Sequence, residues 1–198
     1  MPSLDVRFLS VGPMDNIAYL LRCTATGEQL LIDAAAEPAR LLKFIGPDGV
    51  ATIVTTHQHP DHWGALKEVA KATGAKLLAH PADGEDLPIA TEPVEEGDVV
   101  RVGEVPLEVI HLVGHTPGSI ALYYDGDPPR VFTGDSLFPG GVGNTWNDPA
   151  AFDSLFRDVT TKLFDRLPDE TIVHPGHGKP TSLGRERPSL PEWRRRGW

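Results

Sequence analysis

The sequence Thr55-Thr56-His57-Gln58-His59-Pro60-Asp61-His62 contains three histidines and one aspartate within six residues. Residues 51–56 form a short, β-branched run that is typical of a buried strand. Residues 63–74 carry apolar side chains at helical spacing and end in Gly74, a common helix terminator. We therefore predict that the cluster lies on a loop between a strand and a helix, which is a usual place for a metal site.

The spacing within this cluster has chemical meaning. Side chains alternate along an extended chain, so His57 and His59 point the same way and can reach one metal ion. Pro60 lacks a backbone donor and helps to turn the chain out of the sheet. Asp61 and His62 can therefore reach the position of a second metal ion. Imidazole with carboxylate suits zinc or non-haem iron, and manganese less well. A histidine-rich surface loop is the competing interpretation, and four potential ligands in six residues disfavour it.

Length and composition describe an ordinary globular protein. The chain has 198 residues, 40% apolar residues and a formal net charge of −10, which disfavours nucleic acid as a partner. No apolar run reaches membrane-spanning length, and the single cysteine, Cys23, excludes an intramolecular disulfide. We expect a cytoplasmic protein that binds neither nucleic acid nor membrane, with a homo-oligomer as an open alternative.

The order of predicted elements indicates two similar halves. In each half, strands come first and a helix follows, and each histidine or aspartate of interest comes just after a strand. We expect one domain over residues 1–198, with halves at about 1–90 and 91–180 and a basic tail at 181–198.

Local features refine this expectation. Asp33 ends a predicted strand, and it either orients a metal-bound imidazole from behind or caps a helix over residues 34–45. Asp148 is a predicted N-cap followed by proline, so a helix is expected from there to Leu167. Loops are predicted for the polar, proline-rich residues 81–93 and the glycine-rich residues 139–145.

Candidate metal ligands follow four of the predicted strands. These candidates are His57, His59, Asp61, His62, His115, Asp135 and His177. Six ligands and one bridging carboxylate are what two adjacent metal ions need. His80 and His111 lie within strand patterns and are predicted to be packed or surface residues, whereas His174 is predicted to support the site.

The same residues resemble the successive motifs of the metallo-β-lactamase superfamily. The motifs are His57-x-His59-x-Asp61-His62, Gly114-His115-Thr116-Pro117-Gly118, Gly134-Asp135 and Pro175-Gly176-His177. Within that superfamily, the chain resembles the glyoxalase II, or hydroxyacylglutathione hydrolase, branch. That similarity is carried by Asp15-Asn16, Tyr19-Leu20-Leu21, Thr133-Gly134-Asp135-Ser136-Leu137-Phe138 and Gly140-Gly141. The resemblance implies an α/β fold arranged as a four-layer αββα sandwich.

The resemblance also implies roles for the seven candidates. One metal ion would be held by His57, His59 and His115. The other would be held by Asp61, His62 and His177, with Asp135 bridging the two ions. The implied cofactor is a pair of zinc ions, with iron or manganese as alternatives at one or both positions. Asp61 and Asp135 are also the implied catalytic carboxylates.

Two stretches depart from the glyoxalase II pattern. After Gly140-Gly141 that family usually has an arginine followed by aromatic residues, whereas this sequence has Asn144-Thr145-Trp146. Glyoxalase II enzymes carry a helical C-terminal domain that binds glutathione, whereas only residues 178–198 follow His177 here. We therefore expect a short form without that domain, acting on a small acyl substrate with or without a thiol carrier.

The ligand set supports hydrolysis by a metal-bridging hydroxide. Two metal ions about 3.5–4 Å apart lower the pKa of a shared water toward about 7. A thiol with a pKa of about 8.5 leaves without a proton donor, whereas an amide nitrogen must be protonated, which favours thioester or activated ester cleavage. The competing interpretations are a lactonase or other ester hydrolase and a non-catalytic metal scaffold. Another is a persulfide dioxygenase with a single iron held by His57, His59, His115 and Asp135.

The basic tail carries a separate hypothesis. Arg185 and Arg187 are predicted to fold back to the site and bind a substrate carboxylate, with Asn144 in the facing loop. In the favoured alternative, Trp193 and Trp198 are buried against the protein or a subunit partner and the arginines are solvated.

Overall fold

The structure is a computed structural model that describes residues 3–197. Its first sheet has six strands in chain order, with antiparallel pairing through the first three strands and parallel pairing through the rest. The strands are β1 (Leu4–Val11), β2 (Asn16–Cys23), β3 (Gln29–Ile32), β4 (Thr52–Val54), β5 (Lys76–Ala79) and β6 (Glu92–Pro93).

The second sheet also has six strands, and all of them follow residue 93 in the chain. They are β7 (Val99–Val102), β8 (Val105–His111), β9 (Ile120–Tyr124), β10 (Arg130–Gly134), β13 (Ile172–Pro175) and β14 (Thr181–Ser182), in the spatial order β14-β13-β10-β9-β8-β7. A separate two-stranded hairpin joins β11 (Leu137–Phe138) to β12 (Gly141–Val142).

Six α-helices accompany the two sheets in the described part of the chain. They are α1 (Pro38–Ile45), α2 (Leu66–Thr73), α3 (Pro81–Gly84), α4 (Pro149–Asp158, which continues as a π-helical segment to Phe164), α5 (Leu183–Glu186) and α6 (Leu190–Arg196). Helices α1 and α2 pack on the first sheet, and α4 and α6 pack on the second. The predicted four-layer αββα sandwich is confirmed.

The central core lies between the two sheets. Leu30 of β3, Leu107 of β8 and Phe132 of β10 meet there with no exposed surface. Burial of each such side chain stabilises the fold by about 1.5–3 kcal/mol. Because both sheets are also covered on their outer faces, strands such as β2 and β9 are buried along nearly their whole length.

Three local predictions were wrong in part. Helix α1 begins at Pro38, not at residue 34, because Glu37 has a left-handed φ of 54° and proline disfavours the α conformation in the residue before it. Residues 81–84 form α3, where the His80 ring accepts a hydrogen bond from the backbone of Ala82. Residues 92–93 pair with β5, and residues 139–140 form a tight turn between β11 and β12.

The sandwich brings several strand ends to one edge. Strand β4 leads into His57, β8 leads toward His115, β10 leads into Asp135 and β13 leads toward His177. A bridge between Asn16 and His177 and a backbone hydrogen bond from Ile17 to Gly176 link the two sheets at this edge. None of the helices within residues 3–197 has the length and apolar character that a membrane crossing requires.

Candidate metal centre

Three histidines form the first group at this edge. Single ring nitrogens of His57, His59 and His115 all lie within 4.8 Å of one another. His57 and His115 are buried, and His59 is partly exposed. His57 and His59 come from the loop after β4, and His115 comes from the turn between β8 and β9. The alternation that was expected for His57 and His59 is therefore consistent with a shared position for a metal ion.

A second group lies beside the first and contains Asp61, His62 and His177. The Nε2 atom of His177 lies 3.3 Å from Oδ2 of Asp61 and 3.3 Å from Nε2 of His62. Asp61 and His62 lie on a single 3₁₀ turn that starts at Pro60, so the proline turns the chain as predicted. Asn16 donates a hydrogen bond to Oδ2 of Asp61 over 2.8 Å and fixes that carboxylate.

Asp135 lies between the two groups. Its Oδ1 atom is 3.4 Å from Nε2 of His62, and its Oδ2 atom is 3.8 Å from Nε2 of His115 and 3.4 Å from Nε2 of His177. One carboxylate thus lies close to ligand candidates from both groups. The structure brings all seven candidates together at one site.

Hydrogen bonds behind the histidines orient their rings. His115 Nδ1 donates to the carbonyl of Asn144 over 2.9 Å, and His177 Nδ1 donates to the carbonyl of Met14 over 2.9 Å. A carbonyl oxygen can only accept, so the Nδ1 atoms carry the protons and the Nε2 lone pairs face the cluster. His57 Nδ1 lies 3.0 Å from the hydroxyl of Thr56, which leaves its Nε2 atom facing inward as well.

Asp33 orients His62 from behind. Its Oδ2 atom lies 2.8 Å from His62 Nδ1, and its two oxygens also accept hydrogen bonds from the backbone and the hydroxyl of Thr56. Asp33 has a left-handed φ of 58° and does not cap α1, so the capping alternative was wrong. The contacts of Asp33 match the other predicted role, in which it orients the imidazole of His62.

The site fits a divalent cation on two observations. Nε2 of His57, Nε2 of His115 and Oδ1 of Asp135 are buried without a hydrogen-bond partner, although buried polar atoms are ordinarily paired. Burial works to raise the pKa of Asp135, but His177 and His62 outweigh it and hold that pKa well below its usual range. Burial works to lower the pKa of His62, but Asp33 and Asp135 outweigh it and raise the pKa to about 10. The surroundings of Asp135 and His62 therefore favour positive charge, whereas burial lowers the pKa values of His57, His59 and His115 and keeps these rings neutral, as metal ligands must be.

Two glycines allow the close packing around Asp135. A side chain at Gly176 would collide with the Asp135 carboxylate and the His62 ring. A side chain at Gly143 would collide with the Asp135 backbone and approach the His115 ring. These positions require glycine because the backbone lies directly against the cluster.

Some functional positions were missed by the sequence analysis. Asp83 is buried on α3, and its carboxylate accepts hydrogen bonds from the backbone of Gln58 and from Thr116 and Gly118. No periodicity or spacing in residues 81–93 marks it. Asn16 had a signal, since Asp15-Asn16 is one of the stretches that resemble glyoxalase II.

The remaining histidines lie outside the cluster. His80 stacks on His111 with ring centroids 3.9 Å apart. His174 stacks on Phe132, and burial together with the charge of Arg130 lowers its pKa to about 4. The stacking of His80 and His111 agrees with their predicted packing, whereas the supporting role of His174 stays a prediction.

A cleft of about 540 Å³ opens beside the cluster. It is lined by His115, Asp135, Phe138, Pro139, Asn144, His177, Gly178 and Lys179. Asn144 therefore lies where the sequence analysis expected it. Arg185 and Arg187 are not among these residues, and the prediction that they reach the site finds no support.

The basic tail contacts the cleft wall through other residues. Arg187 donates to Asp169 and to the carbonyl of Phe164, and Trp193 is buried against the Phe164 ring. Glu186 accepts a hydrogen bond from the backbone of Gly140, and Arg196 donates one to the Gly140 carbonyl. The tail thus holds the β11–β12 turn, as a packed part of the fold. Trp198 lies outside the described residues.

Comparisons with known proteins agree with this geometry. Residues 11–177 match the family described as the Metallo-beta-lactamase superfamily. The hydroxyacylglutathione hydrolase of Polaromonas sp. (strain JS666 / ATCC BAA-500) is 38% identical over 165 residues, which are 82% of this chain and 62% of that enzyme. The chain thus spans less than two thirds of the length of this curated relative.

Two solved structures are similar in both fold and sequence. The structure of TTHA1623 in a di-iron-bound form has a TM-score of 0.79 and 35% identity, covering 92% of this chain and 97% of that one. ETHE1 from Myxococcus xanthus has a TM-score of 0.84 and 31% identity, covering 96% of this chain and 84% of that one.

Proposed function

Since this chain belongs to the metallo-β-lactamase superfamily, we propose that it is a metal-dependent hydrolase that cleaves thioesters or other activated acyl compounds. The position of Asp135 carries the proposal, because its carboxylate lies 3.8 Å from His115 of the first group and 3.4 Å from His62 and His177 of the second, beside an open cleft. The similarity to a hydroxyacylglutathione hydrolase supports a thioester as the substrate.

The proposed ligands follow the two groups. His57, His59 and His115 would hold one divalent ion, Asp61, His62 and His177 would hold the second, and Asp135 would contact both. When bound, two such ions supply a water of lowered pKa and polarise the acyl carbonyl. Zinc is the proposed metal, and the di-iron form of TTHA1623 makes iron the first alternative to test.

The cleft lining favours a leaving group that needs no proton. Among the lining residues that the structure describes, those outside the cluster include no histidine or carboxyl group, and a lysine ammonium group, such as that of Lys179, is a much weaker acid than either. A thiolate leaves unprotonated because the pKa of a thiol is about 8.5, whereas the nitrogen of an amide must be protonated as it leaves. Thioesters are therefore better substrates for this cleft than amides or lactams.

We expect the metal-saturated protein to contain two divalent ions per chain and to hydrolyse thioesters equally well under air and under nitrogen. Chelation should lower the rate about 1000-fold or more, because the metal ions supply several kcal/mol of the barrier reduction. Elemental analysis and a panel of thioesters and lactones test this expectation.

Each competing interpretation predicts a different result in the same experiment. One iron per chain with oxygen uptake on a persulfide would indicate a dioxygenase. Turnover of lactones without thioesters would indicate a lactonase. Metal binding without turnover on any substrate would indicate a scaffold. Any of these three results would overturn the proposal.

Lys179 is the residue we propose for recognition of an anionic substrate group, in place of Arg185 and Arg187. Among the described residues that line the cleft, it is the one lysine or arginine. We expect Lys179→Met to raise KM about 3–5-fold for a thioester that carries a carboxylate, because an exposed ion pair contributes up to about 1 kcal/mol. KM for a neutral thioester should not change.

Steady-state kinetics on the two substrates measures this difference. Lys71→Met, on the exposed side of α2, is the matched control and should change neither KM value. An equal rise of KM for both substrates would show that Lys179 shapes the cleft without recognising charge.

A further inference from the structure

Trp146 lies in a strained segment beside the cluster. Its φ is 52°, and the φ of Asn147 is 61°, so two consecutive residues other than glycine adopt the left-handed conformation. This conformation is sterically unfavourable for residues with a side chain, and it persists only where the surrounding structure imposes it. Such segments concentrate at functional sites, which is a reason to ask what Trp146 does.

Hydrogen bonds hold this segment from both sides. The side-chain oxygen of Asn144 accepts a hydrogen bond from the backbone of Trp146 over 2.8 Å, while the Asn144 carbonyl accepts one from His115. The Thr145 carbonyl accepts a hydrogen bond from the backbone of Asp148, whose side chain caps α4. The position of the tryptophan is therefore coupled to a proposed metal ligand on one side and to a helix on the other.

The indole ring packs against two of the histidines. Its centroid is 5.3 Å from the His115 ring at an interplanar angle of 26°, and 5.3 Å from the His59 ring at 69°. The residue nevertheless stays 58% exposed. A strained backbone thus holds a large, accessible aromatic surface against two histidines of the cluster, which indicates a binding role.

We propose that Trp146 is a specificity-determining residue that binds a flat or extended apolar group of the substrate next to His59 and His115. This inference rests on the proposed function. The indole offers a large surface for stacking, and Phe138 and Pro139 give the adjoining cleft an apolar wall. The substrate class is thus a thioester with an apolar group on its acyl or its thiol side.

The glycine variant separates this role from a structural one. Trp146→Gly removes the ring and suits the left-handed backbone, so the loop should keep its shape and the melting temperature should not fall. We expect KM for a phenylacetyl thioester to rise about 5–10-fold, as stacking of one aromatic pair predicts, while KM for the acetyl thioester changes less than about 2-fold. Metal content should stay unchanged, and Trp146→Phe should restore most of the loss.

Two substrate series assign the side of the thioester that the ring binds. One series varies the acyl group on a fixed small thiol, and the other varies the thiol on a fixed acetyl group. Phe8→Ala is the matched control, because Phe8 is a similarly exposed aromatic residue on β1, at 63%, whereas the Trp146 ring contacts two histidines of the cluster. An equal KM rise for apolar and acetyl substrates, or a loss of metal, would overturn the proposal and show that Trp146 only supports His115.

A binding measurement keeps this test separate from the proposed function. If the wild-type protein hydrolyses no thioester, the proposed function fails. Calorimetric titration of the metal-loaded protein with non-hydrolysable thioether analogues of the phenylacetyl and acetyl thioesters still tests Trp146. Tighter binding of the phenylacetyl analogue that is lost in Trp146→Gly supports the inference, and equal binding of the two analogues to the wild type overturns it.

Discussion

Replacement of Asp135 by alanine is expected to weaken both metal positions and to lower kcat/KM by about 1000-fold or more, or roughly 4 kcal/mol of transition-state stabilisation. Its two oxygens face His62 on one side and His115 and His177 on the other. The neighbouring histidines also hold its pKa well below the usual range, so it supplies a full negative charge to the cluster. Asp135 also offers an oxygen within 4.8 Å of ring nitrogens of His57 and His62, one histidine from each group.

Asp61→Ala is the matched comparison. Asp61 is grouped with His62 and His177 alone, so its loss should deplete one metal position and leave the group of His57, His59 and His115 intact. Elemental analysis of the two variants, with circular dichroism to verify folding, measures the difference. Equal metal loss in both variants would contradict the bridging role of Asp135. Asp135→Asn, which keeps the shape but not the charge, should lose activity nearly as fully as Asp135→Ala.

The seven clustered residues could be predicted because each follows a strand. The period-two spacing of His57 and His59 is a local property, and a strand end carries its side chains to the edge of a sheet. His115 and His177 come close to the loop after β4 only because the whole sandwich folds, so local spacing does not predict this contact. Only the resemblance to a known family assigned them to separate groups.

The residues that support the cluster were harder to predict. Asp33 had two plausible roles in the sequence, and a left-handed backbone with a hydrogen bond to His62 excludes the capping role. The carbonyls of Met14 and Asn144 are backbone groups, so the sequence carries no signal for the bonds they accept. Such contacts depend on the tertiary arrangement, which propensity and periodicity do not describe.

The tail shows a different reason for error. Its charge suggested a role at the site for Arg185 and Arg187, but charge does not specify a partner. Arg187 instead pairs with Asp169, and the burial of Trp193 fixes the position of α6. The contacts that reach the cleft wall come from Glu186 and Arg196, which the sequence did not distinguish from their neighbours.

Removal of the Asp83 carboxylate is expected to weaken the first metal position without touching a proposed ligand. Asp83 is 1% exposed, and one of its oxygens accepts hydrogen bonds from the backbone of Gln58 at 2.9 Å and the hydroxyl of Thr116 at 2.5 Å. Its other oxygen accepts one from the backbone of Gly118 at 2.6 Å. The carboxylate therefore ties the loop that carries His57 and His59 to the turn that carries His115.

In Asp83→Ala the backbone N–H groups of Gln58 and Gly118 lose their partner, whereas the hydroxyl of Thr116 keeps Ser119 Oγ at 2.6 Å. Each unsatisfied buried group is unfavourable by about 1–3 kcal/mol, so the free energy of unfolding should fall by roughly 3 kcal/mol in total. The loops should then separate, and the affinity for the first metal ion should fall about 10–100-fold, as for other residues that orient metal ligands. Urea unfolding and competition with a chelator measure the two effects. Glu85→Ala, an exposed change two residues along the chain, should alter neither. A stability loss with unchanged affinity for both metal ions would show that Asp83 supports the fold and not the site.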